Sequence, residues 1–174
     1  ADRTEDGKRL EHAEEAARAG ADELITDGDI FGHVAELTGA TRYRPMIGQA
    51  IFMGGFTKVF DVVAKAETMR VAMRVMAAGG VLSVVGIGDE VKLDLTPLWL
   101  KLQTIRGVYS YGYHLIDGER LHAYDLALRL VREGKVHLDE MITHRFALAE
   151  YGKMIEVNRN KAANRAIKTA VSFM

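Results

Sequence analysis

Cysteine is absent from this sequence, and only two of its 174 residues are proline. Without thiols the chain can form neither a disulfide framework nor a thiolate metal site. Disulfides are typical of secreted proteins, so their absence fits a reducing compartment. We therefore predict a cytoplasmic location.

An excess of charge of either sign is also lacking, because 23 basic residues stand against 24 acidic ones. A near-neutral chain offers no electrostatic surface for nucleic acid or an anionic membrane. No apolar run approaches the roughly 18 residues that a membrane-spanning helix needs. We predict neither nucleic acid nor a membrane as partner. What the sequence does have is an apolar content of 48%, which is enough for one buried core.

Short apolar runs alternate with segments of helical periodicity along the chain. Helices are predicted at residues 6–19, 30–37, 69–76, 121–131 and 148–157, the third carrying a methionine face that we interpret as core. Strands are predicted at residues 22–26, 58–63, 81–85, 105–111, 143–146 and 166–173, with an irregular connection at 41–55. This alternation favours βαβ units and an α/β fold with a doubly wound parallel sheet.

The segment Gly86-Ile87-Gly88 follows a predicted strand and imitates part of a G-x-G-x-x-G fingerprint. The fingerprint requires a helix to open at the glycines, because pyrophosphate binds the backbone N–H groups at the amino end of that helix. Residues 92–97 continue in an extended pattern instead. We therefore predict that these glycines do not bind pyrophosphate.

Seven segments follow one another over nearly the whole chain: RAGADELI (18–25), FDVV (60–63), MAAGGVL (76–82), VVGI (84–87), KLQTIRG (101–107), ITHRF (142–146) and IKTAV (167–171). In this order they resemble the second half of the zinc-type, medium-chain alcohol dehydrogenase family. Each segment alone is a modest signal, whereas their shared order is a strong one. The resemblance implies a Rossmann-like domain that binds NAD(P).

In that family a catalytic domain precedes the Rossmann domain, and the end of the chain returns to the catalytic domain. The resemblance therefore implies a sheet truncated at its amino-terminal side, with the first strand, the glycine-rich turn and the first helix absent. It divides the chain into a partial NAD(P)-binding domain, residues 1–142, and a returning segment, residues 143–174.

The resemblance places Asp2 at the end of the second Rossmann strand. An acidic residue there hydrogen-bonds the adenine-ribose hydroxyls and repels a 2′-phosphate, which favours NAD over NADP. The neighbouring Arg3 could instead receive a 2′-phosphate. A frayed terminal residue without a ligand is the alternative reading of Asp2.

Val62, Val63 and Ala64 end the predicted strand at residues 58–63 and lead into a loop. Ligands of open α/β sheets bind beyond the carboxyl ends of the strands, so this loop is expected to line the cofactor cleft. The family usually has glycine at the position of Ala64. The methyl group of Ala64 is therefore expected to narrow the cleft or to shift the cofactor.

The resemblance further implies that the backbone of Val85, Gly86 and Ile87 meets the nicotinamide carboxamide, where glycine allows close approach. A plain turn after a strand is the alternative. Lys168 matches a basic position that pairs with the pyrophosphate in related enzymes, although a lone lysine is more often a solvated surface charge.

None of the six histidines forms a His-x-x-x-His pair of the kind that binds metal on a helix. We interpret His144, within ITHRF, as structural. The family's zinc is held by residues of the upstream catalytic domain, so this chain alone is expected to bind no metal and to supply no catalytic residue. Trp99 is interpreted as a packing residue.

The resemblance implies hydride transfer between an alcohol or carbonyl substrate and the nicotinamide of NAD(P), with zinc polarising the substrate oxygen. This chain would be the cofactor-binding portion, inactive on its own. Two alternatives stay open. One is a non-catalytic nucleotide-binding or interaction module, and the other is a zinc-free quinone or enoyl reductase relative.

Two strand edges indicate protein partners. Residues 105–111 resemble the edge strand through which related subunits join into dimers. Without upstream strands, residues 58–63 would expose an apolar edge, and such edges recruit other strands. We therefore predict a homo-oligomer, or pairing with the missing amino-terminal half, or both.

Overall fold

A computed structural model describes residues 13–44, 46, 50–88, 90–109, 111–138 and 141–173. These residues fall into two compact units. The middle unit runs from Asp27 to Ser110, and the terminal unit combines the residues before Asp27 with those from Tyr111 onward. Each unit is described by itself below.

Helix α1 covers residues 13–18. The later helices are α2 (Ile30–Thr38), α3 (Ala66–Val75), α4 (Thr96–Leu100), α5 (Ala123–Arg132) and α6 (Tyr151–Arg159), the last preceded by a 3-10 turn at Leu148–Glu150. The strands are β1 (Thr41–Tyr43), β2 (Ile51–Met53), β3 (Phe56–Asp61), β4 (Met76–Val84), β5 (Thr104–Gly107), β6 (Tyr113–Ile116), β7 (Glu119–His122), β8 (Ile142–Ala147) and β9 (Lys168–Ser172).

The sheet of the middle unit contains three parallel strands in the order β3-β4-β5. Met73 on α3, together with Met76 and Leu82 on β4, is almost wholly buried beneath the sheet. This arrangement confirms the predicted parallel α/β sheet and the interpretation of the methionine face as core. The carboxyl ends of β3 and β4 therefore lie side by side.

The ends of α2 follow from its flanking residues. The Asp29 side chain accepts a hydrogen bond of 3.1 Å from the Gly32 N–H, as an N-cap does. At the other end Gly39 adopts a left-handed conformation with φ of 66°, which glycine reaches without a steric penalty. The helix predicted at residues 30–37 is confirmed.

Three predictions in the middle unit were wrong. Residues 41–55 are not wholly irregular, because β1 and β2 pair antiparallel across them. The strand predicted at 105–111 ends at Gly107, where its pairing with β4 stops. The strand predicted at residues 81–85 begins earlier, at Met76, directly after α3 ends at Val75.

In the terminal unit the strand predicted at residues 22–26 was wrong. The chain there is irregular and joins no ladder among the described residues. A strand is stabilised by hydrogen bonds to a neighbour, and this segment, Asp22 to Thr26, has no such neighbour among the described residues. The preceding helix is confirmed for residues 13–18, while its predicted residues 6–12 lie outside the described part of the chain.

A hairpin of β6 and β7 was missed by the sequence patterns. Its two-residue turn is Asp117-Gly118, with φ of 51° and 83°. Both turn residues thus have the positive φ of a type I′ turn, for which Asp-Gly is a preferred sequence. The dipeptide was therefore a usable signal. Beyond this hairpin, the helix predicted at 121–131 is confirmed as α5, which ends before Gly134.

The end of the chain folds into a parallel pair, β8 and β9, with α6 between them in sequence. Phe146 on β8 and Ala166 before β9 are buried. The predicted extended segments at 143–146 and 166–173 are confirmed, as is the helix between them. Across the described residues, every helix falls short of the length and apolar character needed to cross a bilayer.

Candidate cofactor site

A buried carboxylate ends β3 and fixes the loop that follows it. Asp61 is 5% exposed. Its Oδ1 accepts hydrogen bonds from the backbone N–H groups of Val63, at 3.0 Å, and Ala64, at 2.8 Å. Its Oδ2 accepts one from the Thr68 hydroxyl on α3, at 2.8 Å. The β3 loop (residues 62–64) is thereby tied to the first turn of α3.

The backbone of the same residue holds the neighbouring loop. The Asp61 carbonyl oxygen accepts hydrogen bonds from the N–H groups of Val85, at 2.8 Å, and Gly86, at 3.1 Å. Asp61 therefore joins the β3 loop to the β4 loop (residues 85–88) at the carboxyl ends of the two strands. The sequence patterns pointed to both loops, and the structure brings them together.

Glycine is required in the β4 loop because the β3 loop lies so close to it. A Cβ at Gly86 would lie 2.5 Å from the Val63 carbonyl carbon, and one at Gly88 would lie 2.3 Å from the Ala64 carbonyl oxygen. Both distances are too short for a Cβ next to a backbone atom, so a side chain at either position would collide with the β3 loop. The glycines thus serve close packing of the two loops, as glycine does where backbones meet.

Ala64 has a left-handed backbone with φ of 59°. Such a conformation costs a residue with a Cβ roughly 1–2 kcal/mol. Its side chain is only 4% exposed and packs beside Gly88. The conformation explains why glycine suits this position, and the hydrogen bond from the Ala64 N–H to Asp61 shows what holds an alanine there.

Burial alone would raise the pKa of the Asp61 carboxyl, but the hydrogen bonds that it accepts from Ala64, Val63 and Thr68 outweigh this effect. The pKa consequently lies below its ordinary value of 3.8. Asp61 is therefore an anion at neutral pH, although it is shielded from solvent.

The loop side chains present an apolar surface to solvent. Val62, Val63, Val85 and Ile87 are all exposed, with Ile87 at 97%. Because backbone and short apolar side chains line both loops, the surface suits a flat, mostly apolar ring.

Of the remaining predicted cofactor contacts, the structure describes Lys168 alone. Lys168 is exposed at the start of β9 in the terminal unit, and its carbonyl oxygen accepts a hydrogen bond from the Thr143 hydroxyl at 3.2 Å. Asp2 and Arg3 lie outside the described residues. As expected from the sequence, no helix opens at Gly86 or Gly88.

Lys101 and Gln103, within the KLQTIRG segment, were not predicted to have a particular role. The Lys101 ammonium, 1% exposed, donates to the carbonyl oxygens of Arg74, at 2.8 Å, and Met76. The Gln103 amide donates to those of Met73, at 2.8 Å, and Met76, at 3.2 Å. Together the two side chains satisfy the carbonyl groups at the end of α3, which helix geometry leaves without intrahelical partners.

This cluster carries two buried cations. Burial, followed by repulsion from the Arg74 guanidinium, lowers the pKa of Lys101 from 10.5 to about 8. Arg74 itself donates to the Ala50 carbonyl oxygen at 3.3 Å and forms an ion pair of 3.2 Å with Asp94. The KLQTIRG segment therefore hydrogen-bonds to the chain where α3 ends and β4 begins. These contacts stabilise the strands that carry the site.

Histidine and acidic side chains form no group of three that could hold a metal ion in the part of the chain that the structure describes. The His144 Nδ1 lies 3.0 Å from the Thr143 hydroxyl, and its ring stacks on Phe146. These contacts support a structural role for His144. Trp99, in contrast, is 65% exposed, so its interpretation as a packing residue was wrong.

The fold defined by this site is a parallel α/β sheet of the dinucleotide-binding kind. The family model described as zinc-binding dehydrogenase matches residues 5–129 of the chain. The chain therefore belongs to the zinc-type, medium-chain alcohol dehydrogenase family, and it corresponds to the carboxyl-terminal part of those proteins.

Individual proteins agree with this assignment. The chain is 29% identical over 103 residues to L-idonate 5-dehydrogenase from Vitis vinifera, covering 59% of this chain and 26% of that protein. It is 27% identical over 164 residues to D-xylulose reductase from Saccharomyces cerevisiae, covering 93% and 42%. The solved structure of 2R,3R-butanediol dehydrogenase from Bacillus subtilis superposes with a TM-score of 0.71 at 18% identity, covering 95% and 42%. The chain thus spans less than half the length of these proteins.

Proposed function

We propose that this chain is the cofactor-binding portion of an NAD(P)-dependent oxidoreductase that transfers hydride between an alcohol or carbonyl substrate and nicotinamide. The observation that carries the proposal is the pair of interlocked loops at the carboxyl ends of β3 and β4. Ligands of open α/β sheets bind at such ends. The names of these relatives refer to idonate, xylulose and butanediol, so small hydroxylated compounds are the proposed substrate class.

Within the site, the N–H groups of Val85 and Gly86 already donate to Asp61. Carboxamide recognition is therefore assigned to the carbonyl oxygens of this loop and to the Ile87 N–H. Val62 and Val63 are proposed to line the opposite side of the ring, Ala64 to shape the loop behind it, and Lys168 to pair with the pyrophosphate. Bound NAD(P) would supply the hydride chemistry, and this chain would bind and orient it.

The preference for NAD over NADP is assigned to Asp2, with Arg3 as the competing feature. Separate titrations with NADH and NADPH test this assignment, because Asp2→Ala should weaken NADH binding and relax the discrimination. Equal affinities for the two cofactors in the unchanged chain would contradict it. Residues 143–174 are proposed as the segment that returns toward a catalytic domain, where zinc would be held.

Protein partners are proposed at the two sheet edges. Among the described residues, β3 and β5 each have a neighbour on one side only. The β5 edge is assigned to a second subunit, and the β3 edge, with Phe60 67% exposed, to strands of an amino-terminal half. A monomer at all concentrations that also fails to bind a separately supplied amino-terminal half would contradict both assignments.

Fluorescence titration with NADH tests the cofactor proposal. A Cβ at Gly86 would collide with Val63, so Gly86→Ala should abolish or strongly weaken binding. Gly107→Ala is the matched control at the end of β5, since a Cβ there meets nothing within 4 Å. Loss of binding in both variants, or in neither, would count against the loops as the site. A chain that never binds NADH would support the alternative of a non-catalytic interaction module.

A further inference from the structure

Asp61 carries a buried negative charge that its neighbours stabilise without neutralising. The groups that donate to its carboxylate among the described residues are two backbone N–H groups and the Thr68 hydroxyl, all uncharged. Hydrogen bonds of this kind keep the group ionised but leave its net charge in place. In a poorly solvated position such a charge acts over several ångströms.

The position of this charge is set by the same contacts that build the site. The carboxylate lies behind the β3 loop, and the Asp61 carbonyl oxygen binds the first two N–H groups of the β4 loop. The charge is therefore fixed relative to both loops. Each of these loops also carries an exposed apolar side chain, Val62 on the first and Ile87 on the second.

We propose that the Asp61 carboxylate favours the oxidised over the reduced cofactor at this site. This inference rests on the proposed function. The nicotinamide ring carries a positive charge in NAD⁺ and none in NADH, whereas the ribose, pyrophosphate and adenine parts are the same in both. A fixed anion near the ring stabilises bound NAD⁺ but not bound NADH, whereas the geometry of the loops affects the binding of both forms.

Thr68 provides a way to separate charge from geometry. Its hydroxyl lies 2.8 Å from the Asp61 Oδ2 and 3.0 Å from the Lys65 carbonyl oxygen. Thr68→Val removes the hydrogen bond from this hydroxyl to Asp61 and keeps the carboxylate. Asp61→Asn removes the charge but can keep hydrogen bonds to the same three groups, because the amide oxygen can accept from Val63 and Ala64 while its NH₂ donates to Thr68.

The test compares the dissociation constants of NAD⁺ and NADH for the full chain and the two variants. Asp61→Asn should weaken NAD⁺ relative to NADH by about fivefold, the size expected for one partly solvated charge at several ångströms. Thr68→Val should weaken both forms by a similar factor and leave their ratio unchanged. An unchanged ratio in Asp61→Asn would overturn the proposal and leave Asp61 as a positioning residue only.

Two further outcomes are distinguishable. If the unchanged chain binds neither form, the proposed function itself fails, and this inference with it. If Asp61→Asn does not fold, the unchanged chain is measured between about 10 mM and 1 M salt, where the screening length falls from about 30 Å to about 3 Å. The preference for NAD⁺ should then decline with salt, since the pyrophosphate contribution cancels in the ratio. Because buried charges are screened less than exposed ones, this decline should be partial, and a ratio that moves toward NAD⁺ as salt is raised would contradict the proposal.

Discussion

The middle and terminal units are assembled from similar pieces but bury them to different extents. Each contains a parallel pair of strands and adjoining helices. The middle unit buries large side chains such as Phe52, Met76 and Leu82 completely, whereas Phe146 and Ala166 are the apolar residues buried among the described part of the terminal unit. Because burial of apolar surface drives folding, we expect the middle unit to hold most of the stability.

Helices α5 and α3 illustrate the difference in burial between the two units. The apolar positions Tyr124, Leu128 and Val131 of α5 recur at helical spacing, yet all three are exposed. The Met73 and Met76 positions around the end of α3 follow the same kind of pattern and are buried. An amphipathic pattern thus predicts the helix correctly in both units but does not specify what covers its apolar face.

The largest expected effect is loss of core packing in the middle unit. Met76 is 0% exposed, so Met76→Ala should lower the free energy of unfolding by about 2–5 kcal/mol. Urea unfolding followed by circular dichroism reports on the helices and strands of both units, and the fluorescence of Trp99, the single tryptophan, reports on the middle unit. Leu128→Ala is the matched change in the terminal unit, where exposure predicts an effect of at most about 0.5 kcal/mol. Equal effects would remove the distinction between the units.

The second effect concerns the buried cation beneath the site. The pKa of Lys101 is lowered to about 8 from 10.5 in the folded chain. The cost of burying its charge is therefore fully present below about pH 8 and is relieved as the pH rises toward 10.5. Unfolding measured across this window should show stability rising with pH in the unchanged chain and not in Lys101→Met. Lys58→Met, at an exposed lysine on β3, should retain the rise, and its absence there would refute the assignment to Lys101.

The fold was predictable wherever local pattern and tertiary pairing agree. The buried run of β4 and the helix α2 followed from their apolar patterns in the sequence. Residues 22–26 have a strand-like sequence but no strand beside them, so pairing overrode the pattern. The early start of β4 depends on Lys101 and Gln103, which lie about 25 residues further along the chain, and no local signal contains that information.

A smaller effect is expected at the left-handed residue of the β3 loop. Ala64→Gly removes the steric cost of a positive φ, and it should raise the stability of the middle unit by about 0.5–1 kcal/mol after the extra backbone entropy of glycine is subtracted. Ala72→Gly, in the buried interior of α3, should instead be destabilising. Thermal unfolding distinguishes the two, and a destabilising Ala64→Gly would mean that the alanine methyl contributes needed packing.

The smallest effect lies at the exposed pair His33 and Asp27, whose side chains meet at 2.8 Å. The hydrogen bond with Asp27 raises the pKa of His33 above 6.5, and the bond with His33 lowers that of Asp27 below 3.8. The stabilisation of the fold by protonated His33 is complete below pH 6.5 and is lost as the pH rises through the raised pKa of His33. The stabilisation by ionised Asp27 is complete above pH 3.8 and is lost as the pH falls through the lowered pKa of Asp27. Asp27→Asn should lower the pKa of His33 in an NMR titration, and an unchanged value would show that the contact does not persist in solution.

The two loops of the site were predictable from the sequence, but the contacts that join them were not. Sequence order and the positions of strand ends indicated Val62, Val63 and Ala64, and the resemblance indicated Val85 to Ile87. The residue that joins them, Asp61, occupies the last position of β3 and is invisible to periodicity because a buried acid breaks the apolar pattern of a strand. The need for glycine at Gly88 likewise emerges only from its distance to Ala64.

Backbone amide signals of the isotope-labelled chain, recorded by NMR during addition of NADH, test the central claim most directly. The account predicts that the largest changes fall on residues 62–64 and 85–88, with β1 and β2 in the same unit unaffected. Saturable binding whose changes gather elsewhere in the middle unit, away from the ends of β3 and β4, would contradict it.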